Sequence, residues 1–109
     1  MKTQNNWKPV IESLFSALAN AEITVDEVDN GGDETTTDPA EFLDEATACD
    51  ECRVLVRIPG ETRRHTLLIV LGNEPFETVS DYSQHPLLDA TLEAWSESWE
   101  GKPCPTIEA

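Results

Sequence analysis

Asp89, Glu93, Glu97 and Glu100 fall at i, i+4, i+8 and i+11 near the end of a 109-residue chain. On a helix, four-residue steps set such carboxylates ~6 Å apart along one face. That pitch is comparable with the through-space gap between successive phosphates, or two axial steps of ~3.4 Å, in a nucleic-acid strand. A fixed row of acids at this spacing would engage the Lys and Arg side chains of a partner as a phosphate backbone does. The plainer reading of the same four residues is a solvated helix face.

The row gains meaning from a second feature. Between Pro9 and Cys52 there is no Lys, Arg or His, yet the segment carries thirteen carboxylates. Asp38, Glu41, Asp44 and Glu45 form a second row along the helix predicted there. A net charge of −15 repels DNA, RNA and anionic membrane, and it draws in basic surfaces. Acidity of this kind also arises in salt-adapted proteins, which are poor in lysine, and only Lys2, Lys8 and Lys102 occur here. The charge is uneven, however: Arg53, Arg57, Arg63 and Arg64 cluster just after the base-free segment. Those arginines are expected to neutralise carboxylates across neighbouring strands. The alternative is a basic pole that orients the chain on a partner or in a homodimer.

Metal chemistry has two candidate settings. Cys49-Asp50-Glu51-Cys52 is a Cys-x-x-Cys, and Cys104 with His85 would complete a Cys₃His zinc site. The alternation that follows puts Cys52 on the face of Val54 and Val56, where it is core. Oxygens at Glu27, Asp29, Asp33 and Asp38 around Gly32 resemble a calcium loop. They depart from it because Gly31 takes a ligand position and the last residue is Asp. The reading is therefore of a chain without a cofactor, with zinc or calcium as the alternative. His65 reads as a surface histidine beside Arg63 and Arg64, and His85 as a residue next to a helix start at Pro86. With no Gly-rich phosphate loop and no nucleophile elbow, the chain is not expected to be an enzyme.

The elements that must position these groups follow from pattern. Pro9 opens a helix whose apolar stripe is Val10, Ile11, Leu14, Phe15 and Leu18, ending near Asn20. Ile23 to Asp26 alternates as a strand, and Asp29-Asn30-Gly31-Gly32-Asp33 is a turn, with Thr35-Thr36-Thr37 as return strand or loop. Asp38-Pro39-Ala40-Glu41 has the form of a capping box for a helix to about Ala48. Cys52–Ile58 and Thr66–Leu71 form a hairpin whose second strand lies inside a sheet, and Thr78–Tyr82 supplies another strand. The last helix buries Leu88, Leu92, Trp95 and Trp99 and stops at Gly101. The sum is one α+β domain over residues 1–109, with two or three helices on an antiparallel sheet of three to five strands and flexible ends at 1–6 and 103–109. No stretch reaches the ~18 apolar residues of a membrane span, and Met1 to Asn6 lacks a signal-peptide core. Three cysteines, an odd number, suit a reducing compartment, so the expected location is cytoplasmic.

Asp29-Asn30-Gly31-Gly32-Asp33 after a helix–strand start, and Leu71-Gly72-Asn73-Glu74-Pro75 followed by Ser80-Asp81-Tyr82, resemble small acidic proteins of plasmids, phages and integrative elements. The resemblance implies a context that includes inhibitors of restriction enzymes and CRISPR effectors, several of which imitate DNA. It assigns no residue a role. The expectation is an acidic protein-interaction module, a nucleic-acid mimic whose partner is a basic nucleic-acid-binding protein. The alternative is a zinc- or calcium-stabilised accessory domain of a mobile element.

Overall fold

The computed structural model describes residues 3–30 and 35–108. In chain order the elements are β1 (Thr3–Asn5), α1 (Lys8–Asn20), β2 (Thr24–Asp29), β3 (Thr35–Thr36) and α2 (Phe42–Ala48). They continue with β4 (Glu51–Arg57), β5 (Arg64–Val70), β6 (Val79–Tyr82), α3 (Pro86–Trp99) and β7 (Thr106–Glu108). Single 3-10 turns, Pro39–Glu41 and Pro75–Glu77, lead into α2 and β6. Three helices pack with a five-stranded antiparallel sheet in the order β3-β2-β4-β5-β6, which is the α+β class expected.

Strict alternation drives the sheet. Cys52, Val54 and Val56 of β4 and Leu67 and Ile69 of β5 turn inward, with Val54 opposite Leu67 in register. They meet Ile11, Leu14 and Leu18 of α1 and Leu88 and Leu92 of α3 in one core. The other sheet face carries Arg53, Leu55, Arg57, Arg64 and Leu68, which are exposed or half-buried. β5 lies between β4 and β6, inside the sheet as predicted.

α1 packs against both α2 and α3. Its C-terminal end is a Schellman arrangement. Glu22 N–H donates to Ala19 O at 2.9 Å, and Ile23 N–H donates to Leu18 O at 2.9 Å. Glu22 holds the left-handed position, φ 62°, that glycine usually fills.

Two local expectations change, and one open alternative is decided. Asp38 does cap, accepting from Ala40 N–H at 3.0 Å, but Glu41 does not close a capping box onto Asp38. Thr36 stands between them instead: its hydroxyl accepts from Asp38 N–H at 3.1 Å and donates to Glu41 Oε1 at 3.2 Å. The chain ends, expected to be flexible, pair as an antiparallel ribbon of β1 and β7, with Gln4 opposite Ile107. Asn6 N–H extends the pairing with a 2.7 Å bond to Pro105 O. Finally, Thr35 and Thr36 form a return strand, Thr36 opposite Val28. The turn residues between, Gly31 to Glu34, lie outside the described residues, and with them the Asp33 position of the calcium-loop reading.

Candidate functional site

α3 presents the predicted acidic row. Asp89, Glu93 and Glu97 are exposed on the helix, and Glu100 follows at its C-cap. The opposite stripe, Leu88, Leu92 and Trp95, is buried, so the row must face outward. Two tryptophans lock its orientation. The indole N–H groups of Trp95 and Trp99 both donate to Ser13 Oγ at 2.9 Å, and that hydroxyl donates to Val10 O at 2.7 Å. Ser96 Oγ adds a 2.7 Å bond to Phe76 O, tying α3 to the turn before β6. Glu93, Glu97 and Glu100 enter no ion pair among the described residues.

Asp89 is different, because it accepts a hydrogen bond from the Tyr82 hydroxyl. That bond, with lesser contributions from burial and the charges of Asp89 and Glu93, pushes the Tyr82 phenol above its usual range. Beside this pair lies a feature that sequence reading missed. A recess of about 340 Å³ opens between α3, the Pro75–Glu77 turn and β6. Phe76, Val79, Tyr82 and Leu92 supply its apolar lining, and Asp89, Glu93 and Glu97 its acidic one. The three inner residues from Phe76 to Tyr82 read in sequence as ordinary turn and strand, and only their placement beside α3 reveals the recess.

The second acidic row is engaged within the chain. Asp38 caps the Pro39–Glu41 turn and Glu41 accepts from Thr36. Asp44 pairs with Lys8 at 3.0 Å, and Glu45 accepts from Asn30 Nδ2 at 3.1 Å. These four carboxylates are neighbours along one stretch, but each also serves local structure. Two of the four arginines do likewise: Arg57 forks onto Asp26 with bonds of 2.8 and 3.1 Å, and Arg64 lies 3.9 Å from Glu27. Both pairs join β2 to the hairpin, as cross-strand neutralisation predicts.

The histidines are brought together. Glu61, in the β4–β5 turn, receives His65 Nε2 at 3.0 Å on one carboxylate oxygen and His85 Nε2 at 2.6 Å on the other. The two rings meet edge to face, centroids 5.4 Å apart. Hydrogen bonds from His65 and then His85 hold the Glu61 carboxyl below its ordinary range. His85 sits at the N-cap of α3, its Nδ1 accepting from Leu87 N–H at 3.1 Å. His65 is a correction. It is only 8% exposed, because the β5 alternation points it inward with Leu67 and Ile69. The spacing of Glu61 and His65 across a turn hinted at this contact; nothing in sequence tied either to His85.

The cysteines stay apart in role. Cys52 Sγ faces the core and donates to Ala46 O at 3.8 Å, and burial, ahead of the nearby Cys49, Asp29 and Glu51, pushes its thiol up to about 12. Cys49 is exposed, whereas Cys104 lies by the terminal ribbon with Sγ 3.8 Å from Asn6 O. His85 spends both ring nitrogens on Glu61 and Leu87. Among the described residues, no group of three or more His, Cys, Asp and Glu side chains is arranged to hold a metal ion. Also among them, no helix is long and apolar enough to cross a membrane.

Comparison with models of known protein families, with characterised proteins and with solved structures finds no match to this chain.

Proposed function

We propose that this chain is an acidic protein-interaction module that binds a basic, nucleic-acid-binding surface of another protein by imitating a phosphate backbone. One observation carries the reading: Glu93, Glu97 and Glu100 stand outward along α3 without a counter-ion among the described residues. The fold invests in their alignment, because Ser13 and Phe76 bind three side chains of the same helix. An unneutralised row costs stability through self-repulsion and offsets that cost only when a cationic partner arrives. The α3 row is the primary contact, since Asp38, Glu41, Asp44 and Glu45 are already occupied within the chain. Long-range attraction speeds association, and the complex is salt-sensitive.

The test is capture of partners from a lysate of the source cells at ~0.1 M and ~0.5 M salt, where screening shortens from ~10 Å to a few ångströms. Recovery of a nucleic-acid-binding protein that is released by high salt and displaced by DNA supports mimicry. Partners indifferent to both salt and DNA overturn it.

A further inference from the structure

The acidic row does not stand on a plain helix surface. It borders the recess formed by Phe76, Val79, Tyr82 and Leu92, so charge and apolar area are offered side by side. We infer that this recess is an arginine-binding site, which takes one guanidinium side chain of the partner's basic surface. The inference rests on the interaction reading above and names where on the surface, and by what residue, the partner is anchored.

The chemistry of the lining selects arginine. Phe76 and Tyr82 offer aromatic surface, over which a guanidinium stacks better than an ammonium because it is planar and weakly hydrated. Asp89, Glu93 and Glu97 are one helical turn apart, ~6 Å, so adjacent carboxylates reach a forked donor lodged between them. The apolar stem of arginine lies along half-buried Val79, with Leu92, buried at the floor of the recess, beneath it. Tyr82 is held in position by its hydrogen bond to Asp89, so one wall is set before the ligand arrives. A lysine would satisfy the charge and forfeit the stacking and the fork.

The experiment is an NMR titration of the labelled chain with two short capped peptides of equal charge, one carrying arginine and the other lysine. The expected result is shifts centred on Phe76, Val79, Tyr82 and Ser96, with the arginine peptide bound ~3- to 5-fold more tightly. Phe76→Leu keeps an apolar side chain and removes the aromatic face. It should reduce the preference for arginine, leaving the part due to Tyr82 and the carboxylate fork, while charge-driven binding persists. Equal affinity for both peptides, with shifts along α3 that leave Phe76 and Val79 unmoved, would overturn the arginine site and leave the acidic interaction surface standing; shifts confined to α2 and β2 would overturn both. Failure of both peptides to bind at low salt would overturn both readings. Shifts that instead report self-association of the chain, with Arg53, Arg57 and Arg64 moving together, would also overturn it.

Discussion

His85 Nε2 lies 2.6 Å from Glu61 Oε2, joining the cap of α3 to the turn between β4 and β5 across twenty-four residues. Because His85 Nδ1 accepts from Leu87 N–H, the proton of the neutral ring must sit on Nε2, and Glu61 is the acceptor. His65 delivers a second hydrogen bond to the other oxygen of the same carboxylate. One ionised side chain thus holds the start of β5 and the start of α3 together.

That arrangement predicts an acid limit to stability. The folded-state pKa of Glu61 is below its unfolded value, so its contribution is fully present above the ordinary carboxylate range and is lost as pH falls through the folded value. Glu61→Gln keeps the shape and removes the charge. The variant should be less stable than the parent at neutral pH, and the two urea midpoints should converge as the solution is acidified below the carboxylate range. A gap that stays constant down to that pH would show that the carboxylate charge is not what joins the histidines.

Ser13 predicts a larger stability effect from a smaller change. Its single hydroxyl accepts two indole N–H groups and donates to Val10 O, so Ser13→Ala strands two donors, one of them on buried Trp95. Leaving buried donors unpaired costs about 1–3 kcal/mol each, and Trp99 is only half-buried, so the net loss should be about 2 kcal/mol. In a domain of this size that lowers Tm by roughly 10 °C. Unchanged melting would mean that water replaces the hydroxyl without loss.

At Glu22 the expected change is a gain. A non-glycine residue at φ 62° carries a steric penalty of about 1–2 kcal/mol, and the Schellman bonds around it use only backbone atoms. Glu22→Gly relieves that penalty and loses some unfolded-state restriction, for a net stabilisation of about 1 kcal/mol. Chemical denaturation measures it directly, and a destabilised variant would show that the Glu22 side chain contributes more than its backbone costs.

Which parts of this were legible in the sequence follows from range. The stripes of α1 and α3, the Cys52 to Ile58 alternation and the Gly101 stop are local patterns, and the structure follows them. The recess needed Phe76 and Val79 to be set against Leu92 by a folded connection, which no period encodes. The terminal ribbon was hidden for a similar reason. Thr3–Asn5 and Thr106–Glu108 are too short to read as strands alone and become so only as partners a whole chain apart. His65 was misjudged because its neighbours Arg63 and Arg64 are polar, while the strand's alternation was the stronger signal.

The α3 row makes the most direct claim on function. Glu93 and Glu97 are exposed, unpaired among the described residues, and on a helix whose opposite face supplies the packing. Reversing both, Glu93→Lys with Glu97→Lys, changes charge without touching the core, so stability should move by less than about 0.5 kcal/mol. Binding to the basic partner should fall by at least tenfold at ~0.1 M salt, with association slowed by the loss of steering and dissociation speeded by the loss of the carboxylates that grip the guanidinium. Reversing Asp44 and Glu45 instead breaks contacts with Lys8 and Asn30, so that pair should disturb stability more and binding less. Association and dissociation rates of both double variants, measured on the captured partner across the same salt range, separate the rows. Intact affinity in the α3 variant would move the interface away from this helix altogether.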